Sequence, residues 1–530
     1  MNGRNSYTPG ATGDGSAVVI TGGPGVAYPE TPPYSPSECY PEYPFHAHPL
    51  SGANTVYAAL RESLRLLGLD PDNYGKPNWN PLGCLIHPGD RVLVKPNAVL
   101  HRNLSGADPF SVVTHPSVIR AVLDYAWIAL RGEGSLTIAD SPQFDSDFDR
   151  YYELMQFESL KNFYKDTAGI DVGVYDLRRM TAVFDSDKGF FPASAVSRED
   201  GDPKGYSIID LAEASLLYEL PHLDRLYGAD YDCNFTRAHH SGRRHEYCVA
   251  RTFLDSEVVL SIPKLKIHRK VGVTLNIKGL VGINGDKNYL AHYRVGCPRN
   301  GGDEYPDSVT RLRKVSRSVR RRMSDTLLAP RRSALEWVYL VFSRLRSTAG
   351  RLARALGIMK PPASSDGIDT GDWIGNDTAW RMAADLLRIA MYAAPDGSIR
   401  PDPQRRFFSV VDGIVAGEGE GPLLPTPRQE GILIAGFDPV AVDITAAEYM
   451  GLPHLEIPLL RHFSTGGARW SGYPGDDALR ILSPGRTEWT GLSDLERAAP
   501  RFELPLGWRS VWLGEEFRSE DREGPVHQQE

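Results

Sequence analysis

The sequence predicts an α/β protein: a mainly parallel sheet covered by helices on both faces, with an additional mixed subdomain and a basic helical insertion. Short continuous apolar runs alternate with helical segments, the pattern of strands buried on both faces. Five of these runs hand a polar, potentially reactive side chain to the segment that follows. At 530 residues the chain exceeds one ordinary core, so one large domain with insertions, or two domains, is expected.

Taken in order, residues 1–48 are rich in Pro, Gly, Ser and Tyr ("TPPYSPSECYPEYPFHAHP") and read as an irregular arm on the main domain. Residues 49–310 and 361–465 form the α/β core. "GANTVYAALRESLRLLGL" has helical spacing and Gly68 near its end. "RVLVKPN" is a strand, "HPSVIRAVLDYAWIALRG" a helix with Pro at its start and Gly at its end, and "SLTIADSP" the next strand. "EVVLSIPK" follows, then a helical "VGVTLNIKGLVG", then the strands "FFSVVDG" and "GILIAGFDP", and the helix "PVAVDITAAEYMG". Residues 141–250 are polar and mixed, suited to an antiparallel subdomain. Residues 311–360 are strongly basic around "WVYLVF", and 466–530 carry no motif.

Composition excludes several classes. An apolar fraction of 41% argues against disorder over most of the length, and a net charge of −8 provides no basic footprint for sequence-specific nucleic-acid binding. Five scattered cysteines without a C-x-x-C form neither a disulfide framework nor a cluster cage, so no cysteine-ligated iron–sulfur cluster is expected. The N-terminus lacks a signal-peptide pattern, and no apolar run approaches the ~18 residues of a membrane span. A cytoplasmic protein is the expectation.

The stretch "LSIPKLKIHRK" focuses the functional question, because it sets Lys264, Lys266, His268, Arg269 and Lys270 at a strand end in an acidic chain. In open α/β sheets, ligands bind beyond the carboxyl ends of the strands. Lys95 and Asn97 follow "RVLV", Asp140 follows "LTIA", Asp412 follows "FSVV" and Asp438 follows "ILIAGF", so parallel strands would gather these groups. Lys264, Lys266, His115 and His268 are the candidate catalytic groups, since a desolvated lysine can act as base or nucleophile and a histidine as general acid. Lys95, Asn97, Lys278, Lys287 and Gly282 are the candidate substrate-binding residues, with cations matched to phosphate or carboxylate. Asp412, Glu418 and Asp140 are hard ligands suited to a divalent ion such as magnesium, or equally to ion pairs with the lysines. Asp286 reads as a turn residue, Asp438 as an N-cap, and Asp443 as a group satisfying its own helix dipole.

The ordered set "VLVKPN", "THPSVIRAV", "IADSP", "IPKLKIH" with "TLNIKGLVG", "VVDGIVAGEGEGP" and "DPVAVDITAAEYMG" resembles the domain of unknown function 362 (DUF362) over residues 88–300 and 370–455. Members are often labelled uncharacterised iron–sulfur-centre proteins. This chain lacks the cysteine-rich ferredoxin-like segment, so the resemblance does not bring a cluster with it. Three function classes follow. One is an enzyme acting on an anionic small molecule, with or without a divalent metal. Another is a redox or metal-cofactor protein. The last is a protein that meets a partner or an anionic membrane surface through residues 311–360. The oligomeric state is not encoded in any motif.

Overall fold

The computed structural model describes residues 15–46, 50, 52–182, 196–228, 232–327, 368–484, 489–498 and 500–512. Ten strands form one sheet: β1 Ala17–Gly22, β2 Arg91–Pro96, β3 Ser135–Asp140, β4 Gly173–Asp176, β5 Val258–Ile262, β6 Lys264–His268, β7 Gly272–Thr274, β8 Arg406–Glu420, β9 Leu424–Gly436 and β10 Arg480–Leu482. Their order is β10-β1-β9-β8-β5-β2-β3-β4, with β6 paired to β8 and β7. The run β8-β5-β2-β3-β4 is parallel throughout, whereas β9 is antiparallel to both β8 and β1.

Alternation along each strand divides the interior into two cores, as expected when both faces of a sheet are covered. Val92 and Val94 of β2, and Val258 and Leu260 of β5, enter one core with helices α1 Thr55–Leu66 and α2 Pro116–Leu130. Leu93 and Val259 point the other way. They meet the short α3 Asn276–Gly279, α5 Ala379–Tyr392 and α6 Pro439–Tyr449. Helix α4, Arg311–Leu327, lies in the basic insertion, whose remaining predicted residues fall outside the described ones.

Several expectations change on contact with the fold. Residues 17–22, inside the segment read as an irregular arm, form β1 between β9 and β10, because "AVVIT" is apolar enough to be buried on both sides. The strand read as "FFSVVDG" is longer than expected: β8 continues through "IVAGEGE" to Glu420 and turns directly into β9. Its glycines admit neighbours closely, since a Cβ at Gly417 would sit 2.7 Å from Ser111 O. "VGVTLNIKGLVG" is strand β7, then one turn of α3 and a 3-10 turn at Leu280–Ile283, rather than one helix. Antiparallel pairing does occur inside 141–250, between Tyr206–Asp210 and Arg244–Ala250. Its Ile209, Tyr247 and Val249 belong to the main core.

Candidate functional site

Pro263 creates the geometry of the lysine strand. Lacking an N–H, it ends β5, and its carbonyl accepts the Asp412 N–H at 2.8 Å. The chain then resumes as β6 against the far half of β8, with Lys264 opposite Asp412 and Lys266 opposite Gly417. Leu265 and Ile267 enter the core, which leaves Lys264, Lys266 and His268 on the other side.

Lys264 and Asp412 form an ion pair of 3.0 Å with both side chains fully buried. The Tyr28 hydroxyl donates to Asp412 Oδ1 at 2.6 Å and lies 2.7 Å from Lys264 Nζ. The His115 backbone N–H donates to Asp412 Oδ2 at 2.9 Å. The His115 ring stacks on Tyr28 with centroids 3.8 Å apart, and its Nδ1 accepts the Ser117 N–H at the start of α2. Burial, and then the Lys264 charge, hold His115 well below its ordinary pKa. This is a closed network joining the N-terminal segment, α2, β6 and β8. The candidate catalytic pair Lys264 and His115 therefore braces the sheet, and Asp412 has its lone pairs occupied by protein donors.

Lys95 and Asp140 make a second buried pair at 3.1 Å. Asp140 also accepts the backbone N–H groups of Ala98, at 2.8 Å, and Ser141, at 2.9 Å. A Cβ on Gly282 would fall 1.6 Å from Asp140 Oδ1 and 2.8 Å from Lys95 Nζ, so only glycine lets this backbone reach the pair.

Beside these pairs lies a cavity of about 240 Å³, lined among others by Asn97, Asp140, His268, Lys270, Lys278 and Lys287. Its charge is unbalanced. Asp140 is taken by Lys95, and Asp372 by Lys270 at 2.8 Å and Arg269 at 3.6 Å. Lys266 binds Val112 O at 2.5 Å, Pro422 O at 3.3 Å and Asn97 Oδ1 at 3.5 Å, with no carboxylate. Lys287 donates to Ser141 O at 2.8 Å, Val281 O at 2.9 Å and Asn284 O at 3.3 Å. Lys278 is only 7% exposed and has neither a hydrogen-bond nor an ion-pair partner among the described residues. Burial, reinforced by the Lys270 charge, pushes its ammonium down to about 7. Lys287 is also pushed to about 7, mainly by burial. Lys266 falls well below its ordinary value through burial and the Lys264 and Lys278 charges. Three desolvated cations without carboxylates strongly favour any anion that enters.

The remaining groups fall elsewhere. Glu418 is ion-paired to Arg428 at 3.0 Å and accepts the Glu503 N–H at 2.9 Å, while Glu420 accepts the Leu506 N–H at 2.7 Å. Six residues along a strand separate Glu418 from Asp412 by roughly 20 Å of chain, so the candidate metal set is not assembled. Among the described residues no cluster of three His, Cys, Asp or Glu side chains has metal-holding geometry. Asp438 caps α6 through the Val440 and Ala441 N–H groups, at the opposite edge of the sheet because β9 runs antiparallel. Asp443 reaches across to accept the Asn276 and Ile277 N–H groups, both at 2.9 Å, and so anchors the turn that carries Lys278. Asp286 is indeed a turn residue, accepting the Asn288 N–H. Sequence reasoning missed Tyr28, His292 and Asp372, and it named Lys270 in the lysine-rich stretch without giving it a role.

The fold and site define an α/β protein with a buried polybasic cavity at the carboxyl edge of its parallel strands. Residues 210–448 match the family described as "Domain of unknown function (DUF362)", the family that the motifs resemble. The motifs of β2, α2 and β3 precede the matched residues yet build the same sheet. The chain is also similar to "Thylakoid-associated protein sll1697" of Synechocystis sp., at 21% identity over 413 residues, covering 77% of this chain and 74% of that protein. No solved structure matches the chain.

Proposed function

We propose that the protein is a cytosolic enzyme that binds a small phosphate- or carboxylate-bearing molecule in the polybasic cavity. The observation that carries this reading is Lys278, a buried lysine with no partner among the described residues, beside two others that lack carboxylates there. Five free cysteines accord with a reducing compartment. Calorimetric titration with inorganic phosphate and with small carboxylates tests it. A charged hydrogen bond contributes about 1.5–3 kcal/mol, so Lys278→Met is expected to weaken anion binding by roughly ten-fold or more. Unchanged affinity in that variant, or no anion binding by the wild type, overturns the reading.

A second reading rests on α4. Lys314, Arg317 and Arg321 tie the helix to the body, through Asp307 O at 2.9 Å, Asp369 at 3.6 Å and Glu304 at 2.6 Å. The other side presents Leu312, Val315 and Val319, 81%, 63% and 41% exposed, flanked by arginines. No helix among the described residues is long and apolar enough to cross a membrane. An apolar stripe with basic flanks suits the surface of an anionic bilayer, in keeping with the printed name of the Synechocystis protein. Co-sedimentation with phosphatidylglycerol vesicles is expected, and is expected to fall in Leu312→Asp/Val315→Asp. Equal sedimentation of both proteins removes this reading.

A further inference from the structure

The cavity holds more than charge. His268 Nδ1 accepts the Lys270 backbone N–H at 3.1 Å, so the neutral ring carries its proton on Nε2. His292 does the reverse: its Nδ1 lies 2.9 Å from Leu290 O, a pure acceptor, which places the proton on Nδ1 and leaves Nε2 as a lone pair. Both rings line the cavity, and burial, the largest influence on each, favours the neutral imidazole. Asn97 Oδ1 is taken by Lys266 and by the Val99 N–H, and its amide N–H₂ has no acceptor among the described residues. The cavity lining therefore offers an N–H donor, a lone pair and an amide donor together with one amine that has no partner among the described residues.

Of the lysines here, Lys266 and Lys287 are held by carbonyl oxygens, and Lys270 by Asp372 and the Thr370 carbonyl. Those three are fixed in place by protein oxygens. Among the described residues Lys278 alone is uncommitted, and its burial, then the Lys270 charge, favours the free amine over the ammonium.

We propose that Lys278 is the nucleophilic amine of this cavity and condenses, through an imine, with the carbonyl carbon of a small anionic aldehyde or ketone. This rests on the anion-binding reading above and narrows its ligand class. The Lys278 Nζ lone pair forms the C–N bond while the His268 Nε2–H hydrogen-bonds the carbonyl oxygen. The proton shed by the amine passes by way of His292 Nε2 to that oxygen, a second N–H proton follows, and the C–O bond breaks to release water. The balance is amine plus carbonyl to imine plus water, with no oxidant or reductant consumed.

The test uses the full chain with glyoxylate and sodium cyanoborohydride at neutral pH, followed by peptide mass mapping. A single carboxymethyl group on Lys278 is expected, forming roughly ten-fold or more faster than at any surface lysine. Inorganic phosphate should slow it, and Lys278→Arg and Lys278→Met should abolish it. Wild-type mapping decides the matter even if a variant misfolds: modification spread over surface lysines, with none favoured at Lys278, overturns the proposal. If phosphate still binds in calorimetry under that outcome, the imine falls and the anion site stands. If phosphate does not bind either, both fall.

Discussion

The Lys264 network and the Lys278 cavity are built from the same material, lysines delivered to the carboxyl edge of one sheet, yet they do opposite things. Lys264 has a buried carboxylate at 3.0 Å, a tyrosine hydroxyl and a backbone amide closing the shell around that carboxylate. Lys278 is buried too, at 7% exposure, and has no partner among the described residues. A partner turns a buried lysine into a strut. Its absence leaves a group whose charge must be met by a ligand or given up.

The sharpest way to break this comparison is at Asp412. Asp412→Ala would strand Lys264 in the interior, and breaking a buried pair on one side costs about 3–5 kcal/mol. Chemical denaturation should show that loss, and Lys264→Met/Asp412→Leu should recover much of it. If Asp412→Ala is as stable as the wild type, the strut is no strut. Gly282→Ala comes next. Its Cβ would collide with the Asp140–Lys95 pair, and overpacking of this kind costs typically 1–3 kcal/mol, with anion affinity falling alongside.

Lys278→Met should behave in the contrary sense, losing anion binding while holding or gaining stability. The pH dependence follows. Lys278 titrates near 7 in the folded chain, below its unfolded value, so the unfolded state binds more protons between the two. Stability from this group therefore rises as pH increases from about 7 towards the ordinary lysine range, by at most about 1.4 kcal/mol per pH unit. Denaturation across that range should show a shallower rise in the variant.

The smallest effect runs the other way. His454 Nδ1 lies 2.6 Å from Glu448 and its Nε2 3.0 Å from Asp476. Burial lowers its pKa, but the two carboxylates outweigh that and leave it raised. Its contribution is complete below the unfolded histidine value and is lost as pH rises through the folded one. His454→Gln should flatten the alkaline side of that transition, and an unchanged profile would show the clamp to be inert.

Much of this was legible in the chain. Apolar runs of strand length marked β2, β3, β5 and both arms of the β8–β9 hairpin, because strands covered on both faces must be apolar throughout. The Asp438–Pro439 and His115–Pro116 pairs marked two helix starts, since capping is local chemistry. The lysine-rich stretch pointed to the edge of the sheet where the polybasic cavity lies. Direction and pairing were not legible. β9 has the composition of the parallel strands but turns back on β8, which carries Asp438 to the far edge.

What the sequence determined by itself was therefore a class of fold and an excess of cations at one edge, both consequences of composition and short-range spacing. Which lysine met a carboxylate was decided by tertiary structure alone. Lys264 meets a residue 148 positions away, and Tyr28 closes that network from the other end of the chain. Ion pairing falls off over a few ångströms, so a lysine becomes structural or reactive according to what the folded chain brings within that reach.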